Sequence, residues 1–409
     1  MPRPHVVMLT PHGDPLGRIG EPDIGGQCVY IRELSKHLST HGIRVTAFTR
    51  DRADGKPAQE QFAEYATVVR VPCGPDGFVP KEEILPHLDA FADCVSRSLR
   101  GGEVLHSHYW DGGYVASTLH TDQPWFHSTH SLGKIKMRSL PDGAKYQYED
   151  RIRIEEEVYQ GCDCVFALTQ IEKEQIASLY NVPEKQICII PPGVDTEVFQ
   201  PRGDASAHRQ ALDLPDKLTV LTLGRLDARK GLDLFVHAAG RLAARDSLPP
   251  FSVVMSAGDG STSEAEEHAK VQDLVEATEL STHLTWLPVV EESLLPRYYN
   301  AADIFVLPSR YEPFGIVMLE AMASGVPVIA TNNGGPATVI EHGTDGFLGN
   351  PEDTSVFSNL IAVLLADEAL RSRFGQRAHE KVIAEYSWDA IAAKFSDAYM
   401  QQGGGPNAR

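Results

Sequence analysis

Short β-branched runs alternate along the chain with longer segments in which apolar residues recur every three or four positions. HVVMLT, RVTAFT, ATVVRVP, EVLHSH, WFHSTH, CVFALT and ICIIPP read as strands in the first half. LTVLTLG, FSVVMSAG, LTWLPV, IFVLPS and PVIATN read as strands in the second. Each is a compact apolar run bounded by Gly, Pro or polar residues, the pattern of a strand buried on both faces. Between them, segments such as VYIRELSKHLSTHG and KGLDLFVHAAGRLAARD carry the spacing of amphipathic helices. Strand, loop and helix in repetition predict α/β domains, parallel sheets with helices on both faces. The repetition comes as two series joined near PPGVDTEVFQPRGDASA. The expected organisation is therefore two Rossmann-like doubly wound domains facing a cleft, residues 1–200 and 201–380. A terminal segment, 381–409, closes the chain and ends in a frayed tail, QQGGGPNAR. Ligands of open α/β sheets bind outside the carboxyl ends of the strands, so the chemistry is sought in the loops that follow them.

The length of 409 residues fits two cores better than one. A formal net charge of −19 argues against nucleic acid or an anionic membrane surface as partner. Because that average field repels an anionic ligand, local clusters of Lys and Arg become conspicuous. Six cysteines (Cys28, Cys73, Cys94, Cys162, Cys164 and Cys188) lie scattered without a CxxC pair, which suits free thiols in a reducing compartment. Cys162 and Cys164 flank the entry to a buried strand. No apolar run reaches the length of a membrane span, and MPRPHVVMLT lacks the long apolar core of a signal peptide. A cytoplasmic protein without membrane insertion is the expectation.

Several loops after strands in the first half carry candidate chemistry. Gly25 and Gly26 precede Gln27 and a helix; they suit either backbone N–H groups approaching a phosphate or a tight turn alone. Lys81 stands in FVPKEEILPHL at the start of an expected helix, as a cation near an anion or as a solvated surface lysine. His106 and His108 share one face of a strand, as metal ligands do, but no third ligand is evident. They read instead as polar residues lining the cleft floor, with Tyr109 and Trp110 as walls, and no metal is expected. His130, Lys134 and Lys136 follow the next strand, and Arg151 and Arg153 come soon after. This group suits an anion pocket, Arg supplying bidentate geometry and Lys a point charge. The alternative pairs the two arginines with Glu155–Glu157 along a helix face.

In the second half, GRLDARKG follows a strand with Arg225 and Lys230 on a loop before a helix, an arrangement suited to a diphosphate. Asp227 or Asp233 is the competing partner for the lysine. The strongest segment is RYEPFGIVMLEAMASGVP, residues 310–327. A strand ends before it, Pro313 turns the chain, and a helix runs on to Gly325. Phe314, Gly315 and Ile316 are expected in its first turn, where free N–H groups and the helix dipole favour a phosphate. Glu320 lies about 6 Å further along the same face, and Glu312 precedes the helix on the other side of the anion site. Carboxylates accept paired hydrogen bonds from sugar hydroxyls, so a nucleotide sugar matches the layout: ribose, diphosphate, hexose.

At these residues the chain resembles a known family. The run from Glu312 to Glu320 is similar to the E-x7-E motif of retaining nucleotide-sugar glycosyltransferases of GT-B architecture. GGQ at 25–27, HSHYW at 106–110, HSLGKIK at 130–136, IPPGVD at 190–195, GRLDARKG at 224–231 and NNGGP at 332–336 extend the match over nearly the whole chain. Within the family, the motifs most resemble sucrose-phosphate synthases, with mannosylfructose-phosphate synthases close and inositol-phosphate glycosyltransferases matching less well at NNGGP. The resemblance implies that the terminal helix packs back on the N-terminal domain. It also implies transfer of glucose from UDP- or ADP-glucose to fructose 6-phosphate, without a required cofactor or metal. Mannose from GDP-mannose, an inositol phosphate acceptor, and a non-enzymatic nucleotide-sugar-binding regulator are the alternatives. By resemblance, the catalytic residues are His130, Arg225, Lys230 and Glu312. The donor is held by Gly26, Arg225, Lys230, Glu312, Phe314, Gly315, Ile316 and Glu320, and the acceptor by Gln27, Lys81, Lys136, Arg151 and Arg153. No phosphatase-like extension follows residue 400, so the expected product keeps its phosphate.

Overall fold

The structure, a computed structural model, describes residues 3–18, 21–119, 122–138, 148–224, 226–256 and 265–402. The chain divides into two compact units. Unit 1 comprises Met1–Gly193 with Trp388–Arg409, and unit 2 comprises Val194–Ser387.

Unit 1 contains β1 (His5–Leu9), β2 (Arg44–Arg50), β3 (Gln59–Ala63), β4 (Ala66–Val71), β5 (Val104–His108), β6 (Trp125–Ser128), β7 (Cys164–Ala167) and β8 (Ile187–Ile189). They form one sheet in the order β3-β4-β2-β1-β5-β6-β7-β8, in which β3 alone runs antiparallel to its neighbour. Residues of β1 alternate between two cores. Val7 and Leu9 face one that includes Phe91 and Val158, while Val6 and Met8 face one that includes Ile31 and Leu34. The helix Trp388–Gln402 completes that second core with Trp388, Ile391, Phe395 and Tyr399.

Unit 2 contains β9 (Leu218–Leu223), β10 (Phe251–Ser256), β11 (Leu284–Leu287), β12 (Ile304–Leu307), β13 (Val328–Thr331) and β14 (Gly346–Gly349). Its sheet is parallel throughout, in the order β11-β10-β9-β12-β13-β14. The doubly wound sheet expected from the alternation is thus present in each unit.

Three local readings change. β3 was not expected: QEQFA is a polar edge strand with little apolar signal. β14 was not expected either, since GFLG is only four residues long with two glycines. Lys81 does not start a helix; a 3-10 turn at Leu85–His87, containing Pro86, leads into the helix Leu88–Ser96. Strand order reverses between β1 and β5 in the first sheet and between β9 and β12 in the second. Loops after those four strands border the crevices where doubly wound sheets bind ligands. No helix among the described residues is long and apolar enough to cross a membrane.

Candidate active site

In unit 2 the loop after β12 leads into the helix Ile316–Ala323, and Gly315 precedes it with φ 93°. Phe314 and Gly315 therefore stand before the helix and not in its first turn, because that left-handed backbone cannot be helical. The bend aims the helix start. Met318 N–H bonds to Gly315 O at 2.9 Å, and the N–H groups of Ile316 and Val317 precede it as helix-start donors. The loop is clamped from outside by NNGGP after β13. Gly335 N–H donates to Glu312 O at 2.8 Å, and Glu312 N–H to Asn333 O at 3.1 Å. A Cβ on Gly334 would lie 2.2 Å from Glu312 O, and one on Gly335 2.4 Å from Phe314 Cα. Only glycine allows this approach.

The clamp sets Glu312 in the interior, where Oε2 accepts from Lys230 Nζ at 2.7 Å and from Ser309 Oγ at 2.9 Å. Burial alone would raise this carboxyl. The charge and hydrogen bond of Lys230, with help from Arg229 and Ser309, outweigh burial and hold it below the usual glutamate value. Lys230 ends the turn Ala228–Lys230 after β9, and Gly231 at φ 65° closes that turn. Neither competing aspartate holds the lysine. Asp227 accepts Arg229 N–H at 2.9 Å, and Asp233 pairs with Arg310 through two bonds of 2.8 and 2.7 Å. Arg225 lies outside the described residues. Glu320 accepts the Tyr299 hydroxyl at 2.6 Å. Burial pushes its pKa up to about 7, opposed by the Tyr299 bond and reinforced by the charge of Glu292.

In unit 1 the helix Gly26–Thr40 follows the loop after β1. Gly25 has extended backbone that any residue adopts, and a Cβ on Gly25 or Gly26 would meet nothing within 4 Å. A tight turn thus gives no reason for either glycine. Gln27 Nε2 reaches Thr10 Oγ1 at 3.4 Å. Lys81 is neither a loose surface lysine nor an unpaired cation: its ammonium and its backbone N–H, the latter at 3.0 Å, both bond the carboxylate of Asp23.

A pocket here is lined by Lys81 and Arg151, by the rings of Tyr109, Trp110 and Tyr148, and by the carboxylates of Glu82 and Asp150. Arg151 is buried and engaged: Nε donates to Glu155 at 2.6 Å, and the two terminal nitrogens to Tyr109 Oη at 2.7 Å and Ser131 O at 2.8 Å. Arg153 is exposed and bonds Glu157 at 3.1 Å and Asp150 at 3.4 Å. Two residues apart on a helix point about 200° away from each other, so the structure does not bring the arginines together. Lys136 is exposed, with its ammonium 5.9 Å from the Tyr109 ring centre.

The strand-end histidines differ in depth. His106 and His108 have no exposure, so they lie beneath the pocket floor and do not line it. His106 is held at both ring nitrogens, by Tyr399 Oη at 2.7 Å and Ser128 Oγ at 2.8 Å. His108 Nδ1 meets His130 Nε2 at 2.9 Å. Burial pushes the His130 pKa down to about 3, with a smaller contribution from His12, so its ring is neutral. Among the described residues no cluster of three or more His, Cys, Asp or Glu could hold a metal ion.

Two family models match the chain: glycosyltransferase family 4 over residues 24–198 and glycosyl transferases group 1 over residues 204–381. Mannosylfructose-phosphate synthase of Agrobacterium fabrum is 32% identical over 413 aligned residues, which cover 96% of this chain and 90% of that protein. The chain is a GT-B glycosyltransferase. D-inositol 3-phosphate glycosyltransferase 2 of Catenulispora acidiphila is similar at 33% identity, with 98% and 95% of the two chains covered. The solved structure of sucrose-phosphate synthase from Thermosynechococcus elongatus superposes with a TM-score of 0.86 at 31% identity, covering 98% of this glycosyltransferase and 99% of that chain.

One pair of the glycosyltransferase was not singled out from its sequence. His12, in the loop after β1, bonds Asp111 Oδ2 through Nδ1 at 2.7 Å and through its backbone N–H at 3.0 Å. Asp111 is fully buried, and its Oδ1 has no partner among the described residues. The His12 ring lies 5.1 Å from that of Tyr109, which Arg151 also covers at 4.5 Å. Tyr109 (φ 63°) thereby organises the pocket wall.

Proposed function

We propose that this glycosyltransferase is a retaining hexosyltransferase that moves glucose from UDP- or ADP-glucose to fructose 6-phosphate, giving sucrose 6-phosphate. The observation that carries the donor class is the helix start at Ile316, flanked by Glu312 bound to Lys230 and by Glu320. The choice of sugars rests on the likeness to sucrose-phosphate synthase.

In this reading Lys230, with Arg225 and the helix-start N–H groups, stabilises the charge that develops on the departing diphosphate. Glu320 holds the ribose hydroxyls. Glu312 and the backbone of Phe314–Ile316 hold the hexose and its phosphate, and Gly26 brings an N–H to the donor phosphate. Open space at the Cβ positions of Gly25 and Gly26 supports that last role, since a phosphate can fill it. His130 contacts the hexose. The leaving phosphate oxygen takes the proton of the acceptor hydroxyl on the same face of the sugar, so the configuration is retained without a protein nucleophile, and the route requires no metal. Gln27, Lys81, Lys136, Arg151 and Arg153 hold the acceptor. Arg151 acts as a fixed wall because its partners are buried. Arg153 can exchange its exposed carboxylate partners for a phosphate at a cost of less than about 1 kcal/mol.

A second reading has its own support. Relatives at 32–33% identity are a mannosylfructose-phosphate synthase and inositol 3-phosphate glycosyltransferases, which favours the same chemistry on other sugars. A non-enzymatic sugar-nucleotide binder is disfavoured by the retained Glu312, Glu320, Lys230, Arg225 and His130. The test is a grid of UDP-, ADP- and GDP-sugars against fructose 6-phosphate, fructose and inositol phosphate. Turnover with UDP- or ADP-glucose and fructose 6-phosphate is expected. Activity confined to GDP-mannose would overturn the choice of sugars, and no nucleotide diphosphate release with any pair would overturn the enzymatic reading.

A further inference from the structure

His130 follows β6 with φ 54°, a left-handed backbone that a residue with a side chain rarely adopts and that must be held from outside. Its Nε2 lies 2.9 Å from His108 Nδ1, and its Nδ1 makes no hydrogen bond to a described residue. His108 is fully buried and its Nε2 is without a hydrogen-bond partner among the described residues. Burial, then the neighbouring His106, His130 and His127, hold His108 neutral, so one proton is shared across the 2.9 Å contact.

Two arrangements satisfy that contact. If His130 donates through Nε2–H, the single proton of His108 sits on its own Nε2, and an N–H is buried without an acceptor. If His108 donates through Nδ1–H, only a lone pair is left unsatisfied at Nε2. A buried orphan donor is the costlier and rarer defect. His106 offers no escape, because both of its ring nitrogens are already engaged.

We propose that His108 is a positioning residue that fixes His130 in its Nδ1–H tautomer, so that His130 presents a hydrogen-bond donor, not a base, to an oxygen of the bound hexose. The identity of that ligand rests on the function proposed above; the tautomer does not. His130 then supports the transferred sugar without competing with the leaving phosphate for the acceptor proton.

The deciding measurement is a long-range 1H–15N correlation spectrum of the full-length protein labelled with 15N in the histidine rings, with the His130 signals assigned by their loss in His130→Asn. Protonated Nδ1 and unprotonated Nε2 on His130 are expected, and the reverse pattern overturns the proposal whether or not the protein turns over any sugar. Kinetics supply a second reading. His108→Leu removes the donor and is expected to lower kcat by about tenfold or more, the worth of one well-placed hydrogen bond, with the acceptor KM moving less than about threefold. His108→Asn places an amide N–H where Nδ1–H stood and is expected to recover at least about threefold of that loss. Equal losses in two variants that keep the wild-type circular dichroism spectrum would overturn the positioning role.

Discussion

Glu320 offers the sharpest test of the proposed donor half-site. Its pKa stands at about 7 instead of the ordinary 4.5, because burial disfavours the charged form and the Tyr299 bond only partly compensates. To accept two ribose hydroxyls the side chain must be ionised, so nucleotide binding is coupled to loss of a proton below about pH 7. Affinity for UDP or ADP is therefore expected to fall as pH drops below that point, by up to about tenfold per pH unit, and to level off above it. Hydrogen bonds to a charged acceptor contribute about 2 kcal/mol net, so Glu320→Gln is expected to weaken binding about thirtyfold at pH 8. At pH 5.5 the wild-type carboxyl is already neutral and the two proteins should bind nearly alike. Titration calorimetry of UDP and of ADP into both proteins from pH 5.5 to 8.5 gives the ratio of dissociation constants, from which the ligand's own phosphate ionisation cancels. The stability of the unliganded protein runs the opposite way with pH. A carboxyl whose pKa is raised in the folded state stabilises it while protonated, and that contribution, full below pH 4.5, is lost as pH rises to about 7. Glu320 keeps some solvent contact, which caps the loss at about 3 kcal/mol, and Glu320→Gln should escape it. A ratio that does not change with pH, or one near unity at pH 8, would refute the assignment of Glu320 to the ribose.

Other outcomes follow from the same geometry. Lys230→Met leaves the Glu312 carboxylate buried and unpaired, and should lower the thermal midpoint by the equivalent of about 3 kcal/mol, with Glu312→Gln in the same chain restoring most of it. Gly335→Ala would force a methyl to within 2.4 Å of Phe314 Cα, and a rise of at least about tenfold in the nucleotide-sugar KM, with a lower melting temperature, is expected. Arg153→Ala should raise the phosphosugar KM about tenfold or more while the donor KM moves less than about threefold, with little change in melting temperature. Arg151→Ala should destabilise by about 3 kcal/mol, because it strips the buried Glu155 of its cationic partner, leaving only the Gly133 N–H and the Tyr180 hydroxyl. Equal donor and acceptor effects in Arg153→Ala would remove that residue from the acceptor site.

The central strands were legible because they are apolar runs between Gly, Pro and polar residues, whereas β3 is mostly polar and β14 is only four residues long with two glycines. The segment proposed to hold the donor stands out for a similar reason: Glu312, the helix start and Glu320 lie within nine consecutive residues. What escaped was partner choice over distance. Lys230 has Asp227 and Asp233 close in sequence yet bonds Glu312, 82 positions away. Asp23 reaches Lys81 across 58 positions and His12 reaches Asp111 across 99, pairings that the sheet order creates and no spacing announces. The divergence of Arg151 and Arg153 follows from helix geometry alone.

The path of the chain bears on how the protein is made. Unit 2 is an unbroken stretch, Val194–Ser387, whereas unit 1 lacks the second core's Trp388, Ile391, Phe395 and Tyr399 until those residues, after the whole of unit 2, are synthesised. During translation unit 2 can therefore fold while one face of the first sheet still waits uncovered, an interval open to aggregation. Within unit 1 the two ends of this interruption adjoin: a Cβ on Gly193 would stand 2.8 Å from Trp388 Cα. Unit 2 thus behaves as an insertion into a single point of unit 1. A few residues joining position 193 to 388 would give a shortened chain in which the first unit closes its own core.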